Sequence, residues 1–543
     1  MPSWMLLLWL LKGVWLLFAL AVGGCIGSLI NVLAYRMPLG ISVVSPPSRC
    51  PRCGTRLSWR DNIPVFGWLM LRGRCRYCKD PISPEYPIVE AVVALLFGVL
   101  YAACFMMPMH ARWLGIDWSG VRPEWALNFP QQIWPLFVIV LVIFGSLAAM
   151  TLVDAKTFTI PLPLAWFPAA IALIGHSGWG IYISATSGGL QRTALGWEWS
   201  IATPGPAGWG WVGASIGATL GLGIGLLLLR FGLISRSFDD YEEWEKATFG
   251  ESKSDEGVPT RHDVPASQDL TSESARDTDR DADAPTLEPR QEGRISPATL
   301  IVICAMLICP VAGALVAPSL GFAGGLGLLV GAALGPLVGG LVTMPMRRTP
   351  VATEAKAEPA KGAGSPAEVW TQYPHARREM VREMAFLAPA GVLAIGGWHL
   401  ANRLAGPWTT GPSGPIPSVD VPLWLSVLGG VLMGYLIGGG VVWLVRILGS
   451  LAFGKEAMGL GDVHLMAAVG ACMGWIDTTL AFFLAAFVGV FWAILGRVYS
   501  GSLARAMPYG PFLAVATLIV FLAKPAIERA LESMTGYSPF SLP

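Results

Sequence analysis

The feature that most constrains this chain is its series of apolar runs, each about the length of a bilayer crossing. Examples are 13–34, 134–153 and 423–448. A stretch of about 20 apolar residues reads as a transmembrane helix, because hydrocarbon offers the backbone no outside hydrogen-bond partner and a helix satisfies its own. Composition agrees: 54% of the residues are hydrophobic and only 13% charged, with a mean hydropathy of +0.56. Sixty-four Gly and 23 Trp suit close helix packing and aromatic residues at the interface. The expected fold class is therefore all-α and polytopic, with about 12 spans and one small cytoplasmic loop domain. The first apolar run lacks a cleavage pattern after it and reads as an uncleaved anchor.

That loop domain occupies the stretch from Arg36 to Pro87, where nine basic residues face few acids. The excess of positive charge places it in the cytoplasm, a reducing compartment in which paired cysteines point to metal rather than disulfide. Cys50-Pro-Arg-Cys53 and Cys75-Arg-Tyr-Cys78 are two C-x-x-C knuckles about 21 residues apart. This is near the spacing of tetrahedral zinc sites. Four thiolates would fill the coordination sphere, so the expected metal is a structural zinc. Between the knuckles, the stretch from Asp61 to Trp68 reads as a turn with short strands. The other five cysteines (Cys25, Cys104, Cys304, Cys309 and Cys472) lie in apolar runs and read as small core residues.

Two carboxylates stand where charge is costly. Asp462, in Met458-Gly459-Leu460-Gly461-Asp462, lies between the 423–448 run and one beginning at Val463; Asp154 follows the apolar stretch that ends at Val153. Asp462 taken alone could simply N-cap the next helix. Two acids at one boundary are instead the arrangement an aspartic protease needs. Gly459 and Gly461 leave room beside Asp462 for another backbone or a substrate strand. Glu90, just inside the second span, reads equally well as a first-turn charge favoured by the helix dipole or as a site residue. About six spans separate Asp154 from Asp462, an even number, which leaves both acids on one side.

The sequence divides into a first anchor (1–35), the four-cysteine loop (36–87), helices carrying Asp154 (88–185), an insertion (186–421) and helices carrying Asp462 (422–543). Within the insertion, 236–294 and 347–383 are polar and read as disordered cytoplasmic linkers. The second includes a candidate amphipathic helix. Spans are expected near Ala298–Val316, Gly321–Met344 and Phe386–Ala401. Gly213 to Gly221 loosely echoes Leu428 to Tyr435, suggesting a partial repeat.

These residues resemble the type IV prepilin peptidase family. The resemblance rests on Gly27-Ser28-x-x-Asn31 with Arg36-x-Pro38, the four cysteines, and Asp61-Asn62-Ile63-Pro64. It continues through Leu71-Arg72-Gly73-Arg74-Cys75, Tyr86-Pro87-x-x-Glu90, Asp154 seven residues before Pro161, Met458-Gly459-x-Gly461-Asp462, and Tyr509-Gly510-Pro511-Phe512. It implies a membrane-embedded aspartic endopeptidase of the inner membrane, with Asp154 and Asp462 as the catalytic pair. The implied substrates are prepilins or pseudopilins with a basic leader and an apolar helix. The implied second activity is methylation of the new N-terminus from S-adenosylmethionine, although no glycine-rich nucleotide signature accompanies it. Membrane lipid is an expected partner and nucleic acid is not. The sequence departs from the family pattern at Lys156, Leu162 and His464, and the insertion has no family counterpart. A proton-coupled transporter and a non-catalytic zinc-bearing scaffold are the competing readings.

Overall fold

A computed structural model describes residues 3–45, 47–50, 52–107, 112–113, 116–117, 122–127, 130–186, 199–235, 237–238, 375–411, 414–454, 456–500 and 508–535. The apolar runs form helices: α1 (Ser3–Arg36), α3 (Glu85–Tyr101, extended by a π turn, Ala102–Met106), α4 (Pro130–Thr157), α5 (Leu162–Thr186) and α6 (Trp209–Arg230). They continue as α7 (Ala376–Leu404), α8 (Leu423–Phe453), α9 (Leu460–Met473), α10 (Trp475–Ser500) and α11 (Gly510–Thr535); the short α2 (Phe66–Met70) lies in the cysteine loop. Among the described residues, eight helices are long and apolar enough to cross a bilayer, and Leu460–Met473 and Gly510–Lys524 are shorter apolar helices. These ten account for all the expected spans except Ala298–Val316 and Gly321–Met344, which lie outside the described residues, as does nearly all of the 236–294 linker. Strand structure among the described residues amounts to two antiparallel hairpins, Arg112–Trp113 with Ile116–Asp117 and Trp408–Gly411 with Gly414–Pro417.

The chain separates into two units, 1–221 with 372–543, and 222–371. Of the second, only 222–235 and 237–238 are described, covering the end of α6 and a following turn. The first unit has one main core. It is built from α4 (Ile143, Leu147, Met150, Val153), α9 and α11 (Leu513, Ala516, Val520). Every residue of α9 from Leu465 to Met473 is buried, as expected for a helix that is apolar on all sides. Its 14 residues rise only about 21 Å, short of the ~30 Å hydrocarbon thickness; its start at Leu460 is exposed, and burial sets in from Val463 onward.

Small residues set the helix contacts. A Cβ on Gly434 of α8 would lie 2.0 Å from the Gly470 carbonyl of α9, and the reverse contact is equally short. The backbones touch there, and no larger residue fits. Gly213, Gly217 and Gly221 make the same kind of contact from α6 onto the Gly397, Leu393 and Pro389 carbonyls of α7. The two glycine runs that echo each other in sequence thus both serve close packing, against different partners.

Three expectations are corrected. The loop between the knuckles holds no strands: Trp59–Asn62 is a 3-10 turn and Phe66–Met70 a helix, tied by isolated bridges Arg49–Arg56 and Arg74–Pro81. A chain with this many tight turns leaves little length for a ladder. The helix expected in the 347–383 linker begins at Ala376, but Glu383 at the linker's end is buried at 3% exposure against another helix rather than solvated, and 347–374 lie outside the described residues. Cys104 and Cys472 are core residues as expected, but Cys25 is exposed, which suits a lipid-facing position on α1.

Candidate active site and four-cysteine metal centre

Asp154 lies in the last turn of α4, inside the helix rather than past its end, and is 6% exposed. The last turn of a helix repels anions, so the carboxylate needs donors from elsewhere. The Gly510 backbone N–H, at the start of α11, donates to Asp154 Oδ2 at 3.1 Å. That N-terminus supplies the positive dipole end that α4 cannot. Glycine leaves room for the contact: a Cβ on Gly510 would lie 2.6 Å from Asp154 Oδ2, and the carboxylate would have to shift.

Asp462 sits in the first turn of α9, and Gly459, not Asp462, occupies the N-cap position. The simple capping reading therefore fails, although the N-terminus of α9 still favours the charge. Asp462 is within Coulombic reach of Asp154 and of Tyr509. Gly461 packs on Ile160, six residues beyond Asp154, where a Cβ would stand 3.0 Å from Ile160 Cβ. Gly459 is under less pressure: its Cβ would be 3.8 Å from Asp462 Oδ2. Asp154, Asp462, Gly461 and Gly510 thus converge from α4, α9 and α11 at one end of the bundle.

Two of the residues that depart from the family pattern sit near this end. Lys156 forms an ion pair with Glu85 at the start of α3, a half-exposed contact worth little in itself. His464 packs edge-on to Trp166, with ring centroids 6.3 Å apart.

Glu90 serves another structure. It is past the first turn of α3, where Glu85 is the first-turn acid, and its Oε2 accepts the Val65 N–H at 2.7 Å. Val65 has φ 63° and ψ −53°, and the Phe66 N–H donates to the Pro64 carbonyl at 2.6 Å. This is a γ-turn of the rare, strained kind, at a β-branched residue for which positive φ is an outlier. Asn31 donates to the Tyr86 carbonyl at 3.1 Å, a Cβ on Gly27 would meet Glu90 Cα at 2.7 Å, and one on Gly24 would meet Pro64 at 3.1 Å. The Gly27/Asn31, Asn62-Ile63-Pro64 and Tyr86/Glu90 motifs together seat the cysteine loop on α1 and α3.

Within that loop, Asp61 is held by Arg76 of the second knuckle, whose Nε donates to Oδ1 at 3.0 Å. The four sulfurs of Cys50, Cys53, Cys75 and Cys78 all lie within 4.8 Å of one another, and Cys50 and Cys78 Sγ are 3.8 Å apart. Tetrahedral coordination with metal–sulfur bonds of about 2.3 Å places sulfurs about 3.8 Å apart, so the cluster fits a metal. Hydrogen bonds from the Thr55 side chain and backbone lower the Cys53 thiol to about 6. Backbone N–H groups of Cys78 and Tyr77 also hold Cys75 below the ordinary thiol range. The Asp80 N–H draws Cys78 down, but desolvation and the three neighbouring thiols outweigh it and push Cys78 up to about 12. Four crowded sulfurs do not all ionise without a cation among them.

Sequence reading missed Gly510 as a partner of Asp154, although its motif was visible. It also missed the buried Arg446 in α8, for which a lone arginine in an apolar run was the available signal.

A polytopic helical membrane protein with two acids converging at one end of its bundle, and a loop whose four cysteines are close enough to hold a metal, is the class these features define. Comparison with known proteins gives the family. The Bacterial Peptidase A24 N-terminal domain matches residues 21–104 and the Type IV leader peptidase family matches 416–494. A prepilin leader peptidase/N-methyltransferase of Klebsiella pneumoniae is 31% identical over 194 residues, covering 31% of this chain and 73% of that protein. One of Aeromonas hydrophila is 30% identical over 265 residues, covering 40% of this chain and 83% of that protein. One of Myxococcus xanthus is 53% identical over 87 residues, which span 16% of this chain and only 25% of that protein. No solved structure matches. The chain belongs to the type IV leader peptidase family. Residues 105–415, including Asp154, fall in neither family match.

Proposed function

We propose that this protein is an aspartic endopeptidase that removes the basic leader of type IV prepilins or pseudopilins at the cytoplasmic face of the inner membrane. Asp154 and Asp462 are the reacting pair. The observation that carries the reading is their convergence, from helices far apart in sequence, at one end of the bundle, where Gly461 beside Asp462 packs on Ile160 and the Gly510 N–H reaches Asp154. Two carboxylates in close approach share a proton and titrate as a pair. The ionised member takes a proton from water as its oxygen attacks the scissile carbonyl, and the protonated member hydrogen-bonds the carbonyl oxygen. The peptide C–N bond then breaks, the water oxygen stays with the new carboxyl group, and the amine leaves with a proton. The Gly510 N–H holds Asp154 in place throughout.

The cysteine cluster is read as a structural zinc site held by Cys50, Cys53, Cys75 and Cys78. Bound zinc would close the loop and take no part in hydrolysis. Relatives carry N-methyltransferase in their names, and methylation of the new N-terminus is a second activity consistent with them. An insertion is read over 186–421, most of which lies in the stretch between the two family matches.

The deciding experiment substitutes Asp154→Asn and Asp462→Asn and follows processing of a co-expressed prepilin. Each variant is expected to accumulate in the membrane and leave the leader attached. Normal processing by either one would overturn the reading.

A further inference from the structure

Arg446 is a charge buried to 1% exposure in the apolar helix α8, and it joins two parts of the chain. Its Nε donates to Glu383 of α7 at 3.0 Å to Oε1 and 3.3 Å to Oε2. Its Nη1 donates to the Glu456 carboxylate and to the Met458 carbonyl. Glu383 is itself 3% exposed and takes a further hydrogen bond, at 2.7 Å, from the Trp443 indole N–H. A guanidinium has a rigid fork of donors, so an acid fixed on one edge sets where the other edge points. Here the far edge grips Met458, the residue directly before Gly459-Leu460-Gly461-Asp462.

The direction of dependence follows from burial. A buried arginine that loses one of its acid partners keeps only part of its compensation in a medium that does not solvate it. Glu456 has a side chain 33% exposed, so water screens part of its hold on the guanidinium. Glu383 is the fully enclosed partner. It lies on α7, within the 105–415 stretch that neither family match reaches.

We propose that Glu383 is a positioning residue for the turn that carries Asp462, acting through Arg446 on the Met458 carbonyl. On this view, α7 is a buttress of the active site and not merely an added span. The inference rests on the reading that Asp462 is catalytic, but its structural half can be measured independently.

The test compares the full-length protein with Glu383→Gln, which keeps the size and one acceptor but removes the charge. Two readouts are needed: kcat and KM on a purified prepilin, and backbone amide exchange by mass spectrometry. Misplacing a reacting group by about 1 Å costs on the order of 100-fold, so kcat should fall 10- to 100-fold while KM stays within about twofold, the signature of lost transition-state alignment. Exchange over 456–462 should accelerate while that of 423–440 in α8 does not. Wild-type kcat with unchanged exchange at 456–462 would overturn the proposal, as would acceleration spread equally over both segments. If Glu383→Gln fails to accumulate, Trp443→Phe removes only one donor to Glu383 and should give the same local exchange signature, smaller in size; no change there would overturn the proposal. If the wild-type protein cuts no prepilin, the functional reading fails, and the exchange data alone decide the buttress.

Discussion

The contact between Gly510 and Asp154 gives the sharpest prediction. Replacing Gly510 with alanine adds one methyl group, whose carbon would sit 2.6 Å from Asp154 Oδ2 and 3.3 Å from Asp154 Cγ. Ordinary van der Waals contact begins at 3.4 Å, so the carboxylate oxygen must retreat by 3.4 − 2.6 = 0.8 Å, or α11 must move as far. Asp154 is 6% exposed and short, with no long stem to absorb the shift. The movement also stretches the 3.1 Å hydrogen bond from the Gly510 N–H. A displacement near 1 Å costs about 100-fold in rate, or about 2.7 kcal/mol of barrier. Gly461→Ala meets Ile160 Cβ at 3.0 Å and should cost less. Gly459→Ala meets Asp462 Oδ2 only at 3.8 Å, an ordinary contact, and should cost least on packing grounds. The assay is the rate of leader removal at matched membrane abundance. Processing by Gly510→Ala at the wild-type rate would refute both the contact and the role given to Asp154.

Two further outcomes are expected. Purified protein should contain about one zinc per chain by elemental analysis, lost in the Cys50→Ser/Cys78→Ser double variant together with protease resistance of the 47–82 loop. A fully active, metal-free preparation would refute the closed structural site. Val65→Gly should raise the thermal midpoint of that loop, because relief of about 1–3 kcal/mol of backbone strain exceeds the roughly 0.5–1 kcal/mol entropy cost of glycine. A lowered midpoint would mean that Val65 packing, not its φ of 63°, dominates.

Length and polarity made most of the fold legible. Among the described residues, ten apolar helices stand where apolar runs lie in the sequence, because such a helix is specified locally by the need to satisfy its own backbone. Helix ends were less legible. Asp154 and Asp462 each sit inside a helix, because the cost of placing a charge in a terminal turn depends on what faces it. For Asp154 that is the start of α11, more than 350 positions away in sequence. The knuckles were readable because ligand spacing is local. The partners of Glu90 and Arg446 were not, since Val65 and Glu383 are near them only in space. Glu383 was misplaced for a related reason. Beside Arg378, Glu379 and Arg382 it reads as part of a solvated polar run, yet its carboxylate is enclosed by Arg446 and Trp443.

The placement of the two acids also answers a conflict that faces any membrane hydrolase. Hydrolysis needs water, whereas a proton shared between two carboxylates needs partial exclusion from it. At mid-bilayer a carboxylate is expensive and water is scarce; in free solvent the pair is screened and both members ionise. Asp154 is buried and fed by one backbone donor, while Asp462 is only partly buried in the first turn of its helix. Both sit at one end of the bundle, in terminal turns of their helices, rather than at its middle. On the aspartic reading, that intermediate depth is what would let the pair hold a single proton and still admit the attacking water. Its upkeep falls to contacts outside the pair: the α11 terminus on one acid, and the Arg446 grip on Met458 behind the other.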